Sequence, residues 1–189
     1  MKIILMRHGE TLWNTERRLQ GCQDIPLNDH GIAQIKNAGL HLASSKFQID
    51  HIMSSPLQRA YKSAERIAQA VGYPLCQITT SPLFLERSFG ECEGFTYEEA
   101  IEKYPDGNYP GMEKLDELYN RAASAITYLE THFPNQTVLV ASHGAFIKAS
   151  LVVASHGKIS YFDNDIWIEN GSFCVLEKEN DAWKISVGL

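Results

Sequence analysis

The sequence lacks several features that mark whole classes of protein. No apolar run reaches the roughly 20 residues that span a bilayer, and the apolar part of the N-terminal stretch is only Ile3–Met6, which is shorter than the apolar region of a secretory signal. The cysteines form no CxxC pair, which argues against a zinc knuckle or a dithiol redox site; they are Cys22, Cys76, Cys92 and Cys174. These absences predict a cytoplasmic protein with reduced thiols and no membrane attachment.

Motifs for cofactors and nucleic acid are also missing. The seven histidines include no HExxH pair, and no Walker A or GxGxxG pattern occurs, so neither a metal nor a nucleotide cofactor is predicted. Lys and Arg number 17 against 23 Asp and Glu, which gives a net charge of −6. Since non-specific binding of nucleic acid depends on neutralising phosphates, an acidic chain is a poor candidate for it. No feature indicates an oligomeric state.

The composition and the hydrophobic pattern predict one α/β domain over residues 1–189. Of these residues 44% are hydrophobic, which suffices for a buried core. Short apolar runs typical of strands alternate with segments whose apolar residues recur every three or four positions, as in helices. The strands are predicted at Lys2–Arg7, Ile49–Ser54, Thr137–Ala141, Ser172–Glu177 and Ala182–Val187, with a turn over 178–181, and the helices at about 32–42, 56–71, 115–133 and 145–154.

This alternation predicts a three-layer sandwich, in which a mostly parallel sheet is flanked by helices. One stretch does not fit the alternation. Residues 95–112 are rich in Tyr, Pro and Gly, and together with the residues just before them they are predicted to leave the sheet and form a small cap over one end. This stretch, approximately residues 90–112, is called the cap segment below.

Ligands of such sheets bind beyond the carboxyl ends of the strands. Three polar segments follow predicted strands, namely Arg7–Glu10, Ser54–Pro56 and Ser142–Gly144. In the second of these, Ser55 is predicted to cap a helix whose first residue is Pro56, which places Arg59 in the first helical turn. Because a helix N-terminus and an arginine side chain both bind anions, this arrangement predicts a phosphate site.

Six separated motifs occur in order along the chain. They are Leu5-Met6-Arg7-His8-Gly9-Glu10-Thr11 with Trp13-Asn14, Arg18-Leu19-Gln20-Gly21, Asp24-Ile25-Pro26-Leu27 with Gly31, Ser54-Ser55-Pro56-Leu57-Gln58-Arg59-Ala60, Leu85-Glu86 with Phe89-Gly90-Glu91 and Glu93-Gly94, and Ser142-His143-Gly144. In this order they resemble the histidine phosphatase superfamily, whose fold is that of phosphoglycerate mutase. The resemblance extends over nearly the whole chain.

The resemblance implies a role for each of five side chains. His8 would attack phosphorus and become a phosphohistidine, which divides one difficult displacement into two steps. Arg7, Arg59 and His143 would surround the phosphoryl oxygens and stabilise the charge of the transition state. Glu86 would protonate the leaving oxygen and then deprotonate the attacking water. A pocket with this much positive charge requires no metal.

Two further sets of residues follow from the same resemblance. Glu91 and Glu93 lie on the same loop as Glu86 and are alternative candidates for the acid. Around the catalytic five, the predicted substrate-binding residues are Thr11, Asn14, Gln20, Gly21, Arg87 and Gly144. The implied ligand is a small phosphorylated metabolite.

Three functions are compatible with these motifs. In a phosphomonoesterase water takes the phosphoryl group from His8, in a cofactor-dependent phosphoglycerate mutase the sugar-acid product takes it back, and a sensor would only bind the phosphoryl ligand. The stretch between Gly94 and His143 is short, and its only Lys and Arg residues are Lys103, Lys114 and Arg121. Mutases of this family carry longer insertions there with more basic residues, so the phosphatase is favoured, although an arginine after the acid, as Arg87 is here, also occurs in mutases.

Overall fold

The computed structural model describes residues 1–45, 47–163, 166–180 and 182–188, and within them six strands form one sheet in the order β3-β2-β4-β1-β5-β6. The strands are β1 (Lys2–Arg7), β2 (His51–Ser54), β3 (Thr79–Thr80), β4 (Thr137–Ser142), β5 (Phe173–Glu179) and β6 (Ala182–Val187). The helices are α1 (Leu12–Thr15), α2 (Asp29–Ser44), α3 (Gln58–Val71), α4 (Tyr97–Lys103), α5 (Leu115–His132) and α6 (Gly144–Ala154).

The sheet is mixed, and the four neighbouring strands β3, β2, β4 and β1 are parallel. β1 pairs with β4, β4 with β2, and β2 with β3 in parallel, whereas β5 runs antiparallel to both β1 and β6. The parallel part brings the carboxyl ends of β1, β2 and β4 to one edge, where the three polar segments begin. The predicted α/β sandwich is therefore confirmed, with two antiparallel pairings added at one side.

Alternate residues of the strands pack into two separate cores, one on each face of the sheet. Ile3 and Leu5 of β1 face α5 and α6, whereas Ile4 and Met6 face α2 and α3. All four side chains are at most 3% exposed, as expected for a central strand covered by helices on both faces. The helices thus form two outer layers and hold the central strands, and with them the strand ends, in fixed positions.

The predicted element boundaries differ from the observed ones by a few residues. The second strand was expected from Ile49, but it begins at His51. Just before it, Asp50 donates from its backbone N–H to the carbonyl of Thr137 and accepts from the N–H of Thr137 through its side chain. β4 continues one residue further than predicted, to Ser142, and β5 extends to Glu179. The predicted turn over 178–181 is therefore shorter, and its Asp181 lies outside the described residues.

The cap segment contributes no strand to the sheet. It contains a 3-10 turn at Gly90–Cys92 and the short helix α4, whose N-cap Thr96 and N3 residue Glu99 form a capping box. Isolated bridges join Phe89 to Met112 and Arg18 to Thr96, so the segment begins and ends at one point and is tied to the loop after α1.

Candidate active site

Two histidines meet where β1 and β4 end. The parallel register pairs Arg7 with Ser142, so the residues that follow them, His8 and His143, are neighbours across the sheet. Their ring centroids are 5.2 Å apart at an interplanar angle of 61°, and the backbone N–H of His8 donates to the carbonyl of Ser142 at 3.0 Å. Strand pairing alone therefore brings together two of the predicted catalytic side chains.

His8 is held in the state that a nucleophile requires. Its Nδ1 lies 2.7 Å from the carbonyl oxygen of Gly9, and since a carbonyl only accepts, Nδ1 carries the proton and Nε2 carries the free electron pair. Burial lowers the pKa of His8 well below 6.5, and the charges of Arg59 and Arg7 lower it further. The neutral imidazole with an unprotonated Nε2 is thus the form present near pH 7.

Two buried guanidinium groups provide positive charge beside His8. Arg7 donates from Nη1 to the carbonyl of Ile168 at 2.6 Å, and Arg59 donates to the carbonyls of Gln23 at 2.6 Å and Gly21 at 2.8 Å. The Nε of each is buried and has no hydrogen-bond partner in the described part of the chain. Burial lowers the pKa of both groups, while the charge of Glu86 raises it. Buried cations with unused donors are expected to bind an anion.

His143 lies beside His8, directly after the end of β4. It is fully buried, and within the described residues neither Nδ1 nor Nε2 has a hydrogen-bond partner. Burial, followed by the charge of Arg59, lowers its pKa well below 6.5. Since buried polar atoms almost always find a partner, its ring nitrogens are available to hydrogen-bond a ligand.

The carboxylate of Glu86 lies at the N-terminus of α6. Its Oε1 accepts from the backbone N–H groups of Arg87 at 2.9 Å, Ala145 at 3.1 Å and Phe146 at 3.2 Å. Because N–H donors and the helix dipole favour negative charge, these contacts hold the side chain as an acceptor, facing the pocket that also contains His8.

The two alternative acids are placed differently. Glu93 accepts from the backbone N–H groups of Cys22 and Phe89 and from the side chain of Gln23, so it joins two loops through hydrogen bonds. Glu91 accepts from the hydroxyl of Tyr104. Neither lines the cavity that contains His8, so the geometry favours Glu86 among the three.

A cavity of about 360 Å³ opens from His8 toward solvent. Four of the six predicted substrate-binding residues line it, namely Asn14, Gln20, Gly21 and Gly144. The Oε1 of Gln20 is buried without a partner among the described residues. Gly21 has a φ of +50°, and a Cβ there would lie 2.0 Å from Oε1 of Glu93. A larger residue would therefore strain the backbone and displace the Glu93 side chain.

The other two predicted substrate-binding residues lie outside the cavity. Thr11 is fully buried and caps α1, since its Oγ1 accepts from the backbone N–H of Asn14 and donates to the side chain of Asn14. The Nε of Arg87 donates to the carbonyl of Glu113 at 2.8 Å, and its guanidinium packs on the rings of Phe89 and Tyr161. Neither Thr11 nor Arg87 lines the cavity, and His143 does not line it either. The Thr11 side chain holds Asn14, and the Nε of Arg87 binds the carbonyl of Glu113.

The predicted helix N-terminus at Pro56 is also wrong. α3 begins at Gln58, with Leu57 as its N-cap, and Ser55 accepts only a local hydrogen bond from the N–H of Leu57. The backbone N–H of Gln58, the first residue of α3, donates to the carboxylate of Asp24 at 2.7 Å. A side chain of the protein therefore occupies this helix end, and Arg59 is the group of this segment that reaches the cavity.

Several cavity residues were not predicted from the sequence. They are Arg18, Leu19, Phe89, Ala145, Lys148, Ile166, Trp167 and Ile168. Among them, Trp167 is 72% exposed and lines the cavity. These residues come from distant parts of the chain. The signal that could have indicated Trp167 is the short apolar run Ile166-Trp167-Ile168, which stands between polar residues and has no helical or strand pattern.

No cluster of three or more His, Cys, Asp or Glu side chains with the geometry for a metal ion occurs in residues 1–45, 47–163, 166–180 and 182–188. No helix in this part of the chain combines the length and apolar character needed to cross a bilayer.

Residues 3–187 match the profile of the histidine phosphatase superfamily (branch 1). The chain belongs to this superfamily. A relative from Bacillus subtilis (strain 168), named uncharacterized phosphatase PhoE, is 39% identical over 183 residues, which are 97% of this chain and 91% of that protein. The predicted membership and the prediction of an enzyme are confirmed.

Other relatives of the chain are named either as phosphoglycerate mutases or as phosphatases. The probable phosphoglycerate mutase GpmB of Proteus mirabilis (strain HI4320) is 32% identical over 194 residues, which are 97% of this chain and 87% of that protein. The solved structure of phosphoserine phosphatase from Entamoeba histolytica in complex with 3-phosphoglyceric acid is 28% identical with a TM-score of 0.84, and covers 100% of this chain and 96% of that chain. Phosphatases and mutases are thus both among the relatives.

Because His8 and His143 are buried, we expect the free energy of unfolding to decrease in mild acid. In the unfolded chain a histidine titrates near 6.5, whereas burial keeps the folded pKa of His8 and His143 well below that value. Below pH 6.5 the unfolded chain therefore binds protons that the folded chain does not, and the free energy of unfolding decreases as the pH falls. Above that pH the two groups contribute no slope.

Urea unfolding between pH 8 and pH 5.5 measures this effect. We expect His143→Gln to show a shallower loss of stability below pH 6.5 than the wild type, since one of the two proton-linked groups is gone. His30→Gln, at an exposed position on α2, is the matched control and should keep the wild-type slope. Equal slopes in the wild type and His143→Gln would contradict the assignment.

Proposed function

We propose that the chain is a metal-independent phosphomonoesterase that hydrolyses small phosphorylated metabolites through a phosphohistidine on His8. The observation that carries this proposal is the state of His8, whose Nδ1 is fixed by the carbonyl of Gly9 while Nε2 stays unprotonated. Arg7 and Arg59 lie beside it with unused buried donors. A nucleophile next to two cations whose Nε groups have no partner among the described residues suits attack on a phosphate monoester.

In the first step Nε2 of His8 attacks phosphorus. The new N–P bond forms as the P–O bond to the leaving group breaks, and the electron pair of that bond stays on the leaving oxygen. In this step Glu86 donates a proton to that oxygen, so a neutral alcohol departs. Arg7, Arg59 and His143 hydrogen-bond the phosphoryl oxygens, whose charge is then stabilised without reorganisation of the site.

In the second step water replaces the alcohol. The Glu86 carboxylate removes a proton from water as its oxygen attacks phosphorus, and the N–P bond breaks with its electron pair returning to Nε2 of His8. Inorganic phosphate leaves, and Glu86 is protonated again. The supporting observation is that Glu86 lines the same cavity as His8. In the proposed reaction one carboxylate there serves both the leaving and the attacking oxygen.

The mutase is the second candidate, because several relatives are named as probable phosphoglycerate mutases. Such a reaction needs cations that hold the carboxylate of the sugar acid for both transfers. Here Arg87 lies outside the cavity, and Arg18 is paired with Glu16 at 2.6 Å and Glu99 at 3.5 Å. Lys148 does line the cavity, and its Nζ donates to the carbonyl of Asp163 at 3.1 Å. The outer wall is largely apolar, with Leu19, Phe89, Ile166, Trp167 and Ile168. These contacts favour the phosphatase.

One pair of assays tests the proposal. The wild-type chain is incubated in excess chelator with p-nitrophenyl phosphate and with a panel of phosphorylated metabolites that includes phosphoserine, and free phosphate is measured beside the interconversion of 2- and 3-phosphoglycerate. We expect phosphate release that the chelator does not reduce. Interconversion faster than release on every metabolite would establish the mutase instead, and activity that is lost in chelator and restored by a divalent cation would contradict metal independence.

A further inference from the structure

Arg121 on α5 is outside the cavity, yet it binds the backbone of the segment that carries Glu86. Its Nη1 donates to the carbonyls of Leu83 at 3.1 Å and Leu85 at 2.7 Å, and its Nη2 donates to the carbonyl of Glu86 itself at 3.4 Å. Three hydrogen bonds from one guanidinium group thus fix the path of the backbone just before and at the proposed acid.

The remaining donors of Arg121 bind Glu113 in a fork. Nε lies 2.8 Å from Oε1 and Nη2 lies 2.7 Å from Oε2, so the five N–H groups of the guanidinium match five acceptors. Both side chains are largely buried, with 19% and 17% exposure. The backbone carbonyl of Glu113 also accepts from Arg87, which adds a contact to the residue that follows Glu86.

Arg121 also touches the element that binds the carboxylate of Glu86. Its guanidinium carbon lies 5.4 Å from the ring centroid of Phe146, and the backbone N–H of Phe146 donates to Oε1 of Glu86. Arg121 therefore holds the backbone of Glu86, and the N-terminus of α6 holds its carboxylate. Arg121 contacts both of these parts, the Glu86 backbone by a hydrogen bond and α6 through the ring of Phe146.

We propose that Arg121, held by Glu113, is a positioning residue that sets the place of the Glu86 carboxylate for proton transfer. The inference rests on the proposed function, since it concerns how Glu86 acts in that reaction. Arg121 touches neither substrate nor the reacting atoms. Lysine keeps the charge but has a single nitrogen, which cannot bind Glu113 through a fork and three carbonyls at once, so Arg121→Lys should let the Glu86 segment move.

The nature of the leaving group separates positioning from a purely structural role. An alkyl phosphate such as phosphoserine releases a basic alkoxide and needs the proton from Glu86, whereas p-nitrophenyl phosphate releases an acidic phenol that leaves without it. The parameter to compare is kcat/KM, which includes only steps up to release of the alcohol and therefore omits the attack of water. A smaller fraction of folded protein would lower kcat/KM for both substrates by the same factor.

The experiment measures kcat/KM of Arg121→Lys and Glu113→Gln on phosphoserine and on p-nitrophenyl phosphate. We expect a loss of about 10- to 100-fold on phosphoserine, as for a displaced catalytic group, and less than about threefold on p-nitrophenyl phosphate. Arg66→Lys, a half-buried helical arginine of α3 that does not line the cavity, is the matched control and should change neither value. If Arg121→Lys does not fold, Glu113→Gln, which keeps the shape of the side chain, provides the same comparison.

A double-mutant cycle completes the test. In the Glu86→Gln background, Arg121→Lys should cause no further loss on phosphoserine, because the group that it positions is already absent. Equal losses on both substrates, no loss on either, or full additivity with Glu86→Gln would overturn the positioning role and leave the phosphatase proposal intact. Absence of hydrolysis by the wild type on both substrates would instead refute the proposed function.

Discussion

His8→Ala is expected to lower kcat/KM for every phosphate monoester by at least about 10⁴-fold, since it removes the nucleophile and with it the covalent route. The pocket keeps its cations, so the substrate still binds but has no group to attack phosphorus. The variant should bind inorganic phosphate, because Arg7 and Arg59 are unchanged. Steady-state kinetics on p-nitrophenyl phosphate and phosphate titration by calorimetry measure the two properties separately.

Two comparisons keep this result specific. His30→Ala replaces an exposed histidine on α2 and should have wild-type kinetics. The melting temperature of His8→Ala must show that the variant is folded. Retention of more than about a tenth of the wild-type kcat/KM in folded His8→Ala would show that the reaction needs no phosphohistidine.

Glu86→Gln is expected to have the second largest effect, a loss of about 10²- to 10⁴-fold in kcat/KM on alkyl phosphates, which is the usual contribution of a general acid. On p-nitrophenyl phosphate the same parameter should fall only slightly, because the acidic phenol leaves without protonation. Glutamine preserves the geometry: Oε1 accepts three of the four contacts to Glu86, and an amide oxygen can keep those three.

Glu91, which lies on the same loop as Glu86, provides the control for this substitution. Glu91→Gln changes a carboxylate whose partner is the hydroxyl of Tyr104 and which does not line the cavity, so its kinetics should match the wild type. A selective loss on alkyl phosphates in Glu91→Gln, together with normal rates in Glu86→Gln, would transfer the acid role to Glu91.

The parts of the site that lie at strand ends could be predicted from the sequence. β1 and β4 are continuous apolar runs, and the residues directly after them, His8 and His143, are brought together because parallel neighbours end at the same edge. Glu86 follows no strand that the pattern shows, and the resemblance to the family, rather than any periodicity, singled it out.

The start of α3 and the partner of Arg87 could not be predicted, because both depend on contacts between residues far apart in the chain. Ser55 and Pro56 have the local chemistry of a helix start, but Asp24 binds the N–H of Gln58, 34 positions away, and α3 begins there. Arg87 is adjacent to Glu86 in sequence, but the carbonyl of Glu113, 26 positions away, takes its Nε. Neither partner has a local signature, because a side chain or carbonyl in a loop becomes a partner only when the fold brings it near.

The central claim is that the phosphoryl group passes through His8, and trapping that intermediate tests it most directly. Wild-type protein is mixed with p-nitrophenyl phosphate and quenched in base within milliseconds, and its intact mass and phosphopeptides are determined beside those of His8→Ala. We predict one phosphoryl group per chain, stable in base and labile in acid, on the peptide that contains His8, and none in His8→Ala. A wild-type chain that turns over substrate but never carries phosphate, or a phosphoryl group that remains in His8→Ala, would contradict the account.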